Sequence, residues 1–329
     1  MAPERREYEL VLLGATGYTG KLVAEWVSTH LPEDLRWAIA GRNEKKLQGV
    51  IDELKKLSPA RKQPSKMSVF LLHHTRLTNV PDIEKCELEK DQLDALAKKS
   101  TLIITTVGPF MYYGEAVLAA CASNGTHYLD STGEVPWIYD MIAKYDAIAK
   151  QNKSIIIPEC GLDSVPADIL TYVLARQVRK RFDAASERVI MTLYAAKSGF
   201  SGGTSLTILE LFSNYSLGHL AKSMHPYSLS PVKADNSVAS PTAGFPHRLF
   251  GLLSVPELGG VQTVGLMASV DECITHRSWG LYAEGAQSSN DPSLSYGPRF
   301  RFNEYMRASG ILTGLLVKAV FGTVGMLLA

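Results

Sequence analysis

Three glycines stand at three-residue spacing in VLLGATGYTGKLVAEWV, residues 11 to 27: Gly14, Gly17 and Gly20. A residue without a Cβ lets backbone approach a bulky anion closely. The amides of Ala15, Thr16, Gly17, Tyr18 and Thr19 would then face that anion from the positive end of a following helix. Diphosphate binding is the chemistry this spacing offers. A tight strand-to-helix turn without a ligand is the plainer alternative.

Further along, three more places carry chemistry. At Ala40-Gly41-Arg42, where an acid would accept the hydroxyls of an adenosine ribose, this chain has a guanidinium. Such a group binds a 2′-phosphate through two parallel hydrogen bonds and stacks on adenine. Arg42 thus favours NADP(H) over NAD(H); as the alternative, Arg42 and Lys45 are ordinary charges at a helix start. In TTVGPFMYYGEAV (105 to 117), Gly108, Pro109 and Phe110 form a turn that would border the cofactor's ribose and nicotinamide. The hydroxyls of Tyr112 and Tyr113 stand where the next helix begins, available to hold a substrate or donate a proton, although paired tyrosines more often pack. Lastly, Asp130, Glu134, Glu159 and Asp163 follow later strand tips as acids, bases or orienting groups. Capping competes with catalysis at Asp163, and turn-ordering at Asp130.

These residues need elements to hold them. Short apolar runs at 8–13, 35–41, 68–74, 101–107, 126–130 and 153–159 read as strands. Helical patterns fill 18–30, 43–57, 90–99, 114–124 and about 135–151, with Leu22, Val23, Trp26 and Val27 expected on one face of the first and Leu47, Val50, Ile51 and Leu54 on one face of the second. Six strands separated by helices predict an α/β, Rossmann-type doubly wound parallel sheet, because each parallel crossover needs a covering helix. The second half predicts a strand at 187–199, a helix at 202–216, a long loop or lid over 225–262, and strand-like patterns at 278–286 and 296–306. The Gly202-Gly203-Thr204 step either faces the nicotinamide cleft or bends the chain into that helix.

Bulk properties exclude more than they select. With 329 residues and 46% hydrophobic content, the chain can bury two domain cores. Its 34 basic and 33 acidic residues give no general attraction for nucleic acid. Cys86, Cys121, Cys160 and Cys273 lack metal-ligand spacing and follow no secretory signal, so a zinc is not expected, the thiols read as reduced, and the expected location is cytoplasmic.

In their order, GATGYTG, WAIAGRNEKKL, TTVGPFMYYGEAVLAAC, YLDSTGE and CGLDSVPADI resemble the saccharopine dehydrogenase-like oxidoreductases, including the trans-acting enoyl reductases. The resemblance is strong over 8–175 and fainter beyond. It implies an NADP-binding Rossmann domain over 1–175, with Gly14 to Gly20 and Arg42 on the cofactor and the Gly108 to Phe110 turn beside it. It also implies an α+β substrate and dimerisation domain over 176–309, and with it a homodimer. A proton donor does not follow from it, nor does the substrate, since fold does not fix function.

GILTGLLVKAVFGTVGMLLA (310–329) carries Lys318 as its single charge and has the length of a membrane helix. A membrane or lipid-droplet surface, the second domain's core and a hydrophobic substrate entrance all compete for it. Similar tails in the family continue into further polar sequence. The expected activity is NADPH-dependent reduction of an activated C=C bond in a lipophilic, polyketide- or fatty-acyl-like substrate held as a thioester. Tyr113 would be the proton donor, with Asp163 orienting or acting as acid/base. The alternatives are C=N reduction of the saccharopine-reductase type and a non-catalytic lipid-surface protein that retains the nucleotide fold.

Overall fold

The computed structural model describes residues 6–57, 81–162, 164–195, 210–233, 252–265 and 267–328, with 321–328 as backbone alone. They divide into two units. One holds the chain through Thr132 together with Met141–Cys160, and the other holds Gly133–Asp140 and the chain from Gly161 onward. The boundary expected near residue 175 falls inside a helix of the second unit, α6 (Val165–Phe182).

The first unit is a six-stranded parallel sheet of β1 (Tyr8–Leu13), β2 (Trp37–Gly41), β3 (Asp82–Lys85), β4 (Ser100–Thr105), β5 (His127–Asp130) and β6 (Ile156–Ile157). Its order is β3-β2-β1-β4-β5-β6. Leu10 to Leu13 of the central strand are all buried, which is why this run is continuously apolar rather than alternating. Leu13 pairs with Ala40 on one side and Thr105 on the other, so the chain builds outward from β1 in both directions. The carboxyl ends of β1 and β4 therefore flank the topological switch point, where such sheets bind ligands.

Helices α1 (Tyr18–His30), α2 (Glu44–Leu57), α3 (Lys90–Lys99), α4 (Phe110–Asn124) and α5 (Val135–Gln151) make the crossovers. On α2, Leu47, Val50, Ile51 and Leu54 are buried as their spacing predicts and join Leu10, Leu12, Trp37 and Ile39 in one core. The expected face of α1 holds for Val23 and Val27, which meet the core, and needs correction for the rest. Gly20, Ala24, Val27 and Ser28 point inward, while Leu22 and Trp26 remain 49% and 55% exposed. Small residues at 20 and 24 let the helix lie close to the sheet, and Trp26 instead stacks on His30 at 5.1 Å. The strand beside β2 also differs: it is 82–85, whereas the expected 68–74 strand lies outside the described residues. β3 is a short edge strand with charged residues, and so lacks the apolar signature of a central one.

The second unit contains a mixed sheet ordered β7-β10-β9-β8, with β7 (Arg188–Leu193) parallel to β10 (Arg301–Arg307), and β9 (Gly260–Val264) antiparallel to both β10 and β8 (Leu253–Val255). The β8–β9 hairpin occupies part of the 225–262 stretch expected as loop; 234–251 lies outside the described residues. Of the expected 202–216 helix, 202–209 also lies outside them. Residues 278–286 correct a second expectation. They belong to α8 (Ala268–Ser289), which follows the short helix α7 (Leu217–Ser223). Cys273, His276, Trp279, Gly280 and Ala286 are its buried face at helical spacing. Aromatic residues among small ones at 278–286 imitate strand alternation, but the buried positions follow the helical period.

His276 of α8 fastens three segments. Nδ1 donates to the Pro226 carbonyl at 3.0 Å and Nε2 accepts the Phe302 amide at 3.1 Å, an arrangement that suits the neutral ring. Nearby, Asp168 of α6 accepts the Ser278 hydroxyl at 2.9 Å. The tail forms α9 (Ile311–Leu328), which packs on β9: Thr263 donates to the Gly314 carbonyl at 2.9 Å, and Gly314 lies against Leu252. Ile311, Leu312, Leu316 and Val320 are exposed. Among the described residues no helix is long and apolar enough to cross a membrane.

Candidate functional site

At the switch point the chain leaves β1 through the glycine loop. Gly14 has φ +94°, and a Cβ there would lie 2.8 Å from both Thr106 Oγ1 and Val107 Cγ2. Only glycine meets both demands without strain. Thr106 holds this contact in place, its amide donating to the Leu13 carbonyl at 3.0 Å and its hydroxyl to the Gly14 carbonyl at 3.2 Å. Gly20 is closer still: a Cβ would stand 2.2 Å from the Gly14 oxygen. The first turn of α1 consequently sits on the loop.

That packing leaves backbone presented outward. Thr16, Gly17, Tyr18 and Thr19 are exposed, while Ala15 is fully buried. Gly17 caps α1 without a side-chain hydrogen bond, and the first turn has no acid. The Gly17 amide donates back to the Gly14 carbonyl at 3.1 Å; amides at a helix start have no intrahelical acceptor, so those of Tyr18 and Thr19 suit a diphosphate. The glycine cradle fits the dinucleotide expected from its spacing.

Beside it, Thr16, Gly41, Arg42, Asn43, Lys46 and Glu87 line a cleft of about 390 Å³. Three strand ends build it. Gly41 ends β2 and Arg42 follows it, and the Asn43 side chain accepts the Lys46 amide at 3.0 Å, starting α2 so that Lys46 stands one turn beyond Arg42. From the next strand, the Cys86 amide donates to the Gly41 carbonyl at 3.1 Å, which brings Glu87 to the cleft that Arg42 lines. Glu87 is fixed in turn by its own amide, which donates to Gln92 at 2.9 Å. Among the described residues, neither Arg42 nor Lys46 forms an ion pair with a carboxylate. Two cations without counter-ions among the described residues fit a phosphate.

Arg42 is thus among the residues lining the cleft. Lys45, the charge that follows Arg42 at the helix start, does not line it; Lys46 does. Its position one helical turn after Arg42 was the signal available in the sequence. Glu87 carried no such signal, because only sheet pairing brings it to Arg42 from 45 residues away along the chain.

On the other side of the switch point, Gly108, Pro109 and Phe110 follow β4, with Phe110 buried at the start of α4. The helix begins here rather than at 114, which puts Tyr112 and Tyr113 in its first turn. Both are about half exposed, their rings 6.2 Å apart and edge-on. Asp163 lies outside the described residues. Asp130 is buried at the tip of β5, where its carboxylate accepts the Tyr128 hydroxyl at 2.7 Å and the Thr132 and Glu159 amides at 3.0 and 2.9 Å. Burial pushes its carboxyl up to about 6 against those three donors. Its partners make Asp130 a brace between β5 and the chain after β6, the turn-ordering alternative. Glu134 and Glu159 are buried as well.

Residues 10–157 match the saccharopine dehydrogenase NADP binding domain, and the cofactor is accordingly NADP. A Mycobacterium tuberculosis (strain H37Rv) protein, named provisionally as a trans-acting enoyl reductase, is 33% identical over 330 residues, covering 99% of this chain and 71% of its own. The trans-acting enoyl reductase of Mycobacterium leprae is 30% identical over 336 residues, with 99% and 73% covered. Since the same similarity runs through both units, the chain belongs to the saccharopine dehydrogenase-like family of NADP-dependent oxidoreductases, in the group of the trans-acting enoyl reductases.

Proposed function

We propose that this oxidoreductase reduces an activated C=C bond in a lipophilic acyl-type substrate presented as a thioester. The observation that carries the reading is the doubly cationic cleft beside a bare-amide loop, joined to the similarity with proteins named as enoyl reductases. NADPH, when bound, supplies the hydride. The loop amides around Gly17, those of Ala15, Thr16, Tyr18 and Thr19, hold its diphosphate, Arg42 and Lys46 its 2′-phosphate, and the Gly108–Phe110 turn borders the reactive end. Tyr113 donates the proton from its hydroxyl, and Asp163 orients the substrate. An enoyl thioester needs that proton at the carbon next to the carbonyl, so a donor on a helix start beside the strand tip suits the task.

The test is NADPH consumption against a panel of enoyl thioesters of increasing chain length, with preformed imines as competitors. Consumption with the thioesters is expected; turnover confined to imines would move the assignment to C=N reduction. Tyr113→Phe should lower kcat by about 10²-fold or more with unchanged NADPH affinity. Unchanged kcat would remove Tyr113 from the reaction.

A lipid surface is the second reading, favoured by the exposed apolar side chains Ile311, Leu312, Leu316 and Val320 along α9. They would rest in a membrane or droplet interface and bring the enzyme to its substrate. Liposome flotation of the intact protein is expected, with loss in Leu312→Asp/Leu316→Asp. If the intact protein stays at the bottom of the gradient, this reading fails.

A further inference from the structure

The cleft contains one group that a phosphate cannot use. Arg42 and Lys46 are suited to a dianion, yet Glu87 brings a carboxylate to the same space. Its position is built rather than incidental. The Cys86 amide bonded to the Gly41 carbonyl extends the β2–β3 pairing past its last register pair, Gly41 with Lys85. The Glu87 amide is then anchored by Gln92 from α3, and the Glu87 carbonyl accepts the Cys86 thiol at 3.2 Å. The backbone of this acid is tied on both sides, and its half-buried side chain lines the cleft. Among the described residues its carboxylate forms no ion pair with either cation.

A carboxylate accepts hydrogen bonds and repels phosphate. Its complement within a 2′-phosphoadenosine must therefore be a donor distinct from the phosphate. Two exist: the 3′-hydroxyl of the ribose and the 6-amino group of adenine. The hydroxyl adjoins the phosphate and would draw the carboxylate toward the charge it repels. The amine lies at the far edge of the base, away from the phosphate, where a carboxylate meets no like charge. We infer that Glu87 reads the adenine base by accepting a hydrogen bond from its 6-amino group, while Arg42 and Lys46 take the phosphate. The cleft is then a two-ended gauge, with cations at one end and an acceptor at the other. This assignment rests on the reading that the adenosine end of NADPH occupies the cleft.

The experiment compares NADPH with deamino-NADPH, in which hypoxanthine puts a carbonyl oxygen where adenine has its amine. Binding is read by the fluorescence of the reduced nicotinamide, without turnover. The wild-type protein should bind deamino-NADPH about tenfold more weakly, because an acceptor then faces an acceptor. Glu87→Gln should bring the two affinities within about twofold, since a primary amide can accept from the amine or donate to the oxygen. Glu87→Ala should also erase the difference, and thermal melting confirms that both variants fold. Arg42→Ala is the separate check on the cleft itself. It should weaken NADPH and deamino-NADPH alike, by about tenfold or more, and leave NADH nearly unchanged. If Arg42→Ala has no effect on NADPH, the cleft does not hold the adenosine end and both readings fall. If Arg42→Ala behaves as expected but wild-type protein binds the two nucleotides equally, the Glu87 assignment alone is overturned. Equal weakening of both nucleotides by Glu87→Ala, with no difference in wild type, would give the acid to the ribose hydroxyl instead.

Discussion

His276 and Asp168 respond to acid in opposite directions. Burial holds the His276 ring down at about 4, so between its usual 6.5 and that value an unfolded chain takes up a proton that the folded one refuses. Stability therefore falls as pH drops through this window, by about 3 kcal/mol in all. For Asp168, desolvation raises the carboxyl to about 6, and the folded chain protonates before the unfolded one. From pH 6 down to 3.8 this relieves the cost of a half-buried charge, a gain of up to about 3 kcal/mol before discounting for its partial exposure. The two effects oppose each other in the wild type, the Asp168 gain offsetting part of the His276 loss. His276→Gln, which can still donate and accept, should make the protein more stable on acidification from pH 6.5 to 4. Asp168→Asn should make it less stable over the same range. Melting temperatures measured across those pH values check both signs, and parallel slopes in the two variants would contradict the opposition.

At the scale of elements, the loop between β1 and α1 uses two glycines for different reasons. A Cβ on Gly20 meets Gly14 and Ala15 backbone, whereas one on Gly17 meets only the Gly14 oxygen at an ordinary 3.5 Å. Gly20→Ala should accordingly destabilise the fold by about 1–3 kcal/mol, as overpacking does, and weaken NADPH with it. Gly17→Ala should melt like wild type and yet lose NADPH affinity, because its methyl enters the face meant for the anion. Paired melting curves and nucleotide titrations separate the two. The same elements show what was legible in the sequence. The loop and the inward face of α2 were, since glycine spacing and helical periodicity are local signals. β3 was not, because an edge strand has no run of apolar residues to betray it. Neither was α8, whose aromatic residues at 278–286 imitate alternation. On α1 the periodicity places Val23 and Val27 against the core but not Leu22 and Trp26, because size, rather than hydrophobicity, decides which side of a helix can lie against a glycine loop. In the candidate site, Arg42 was legible from its place after β2; Glu87 acquires its setting only when β3 pairs with β2.

At the scale of the whole molecule, each unit closes around its own sheet, and the chain passes between them after Thr132, after Asp140 and after Cys160. Residues 133–140 make contacts of their own inside the second unit: Asp140 approaches His219 at 3.5 Å, and the Tyr139 ring stands edge-on to the same imidazole. Val135, Trp137 and Ile138 beside them are buried. A scissor placed after Cys160 therefore would not release a self-sufficient nucleotide module. The N-terminal fragment would carry away an octapeptide belonging to the other body, and the remainder would be left with a gap where that peptide had lain.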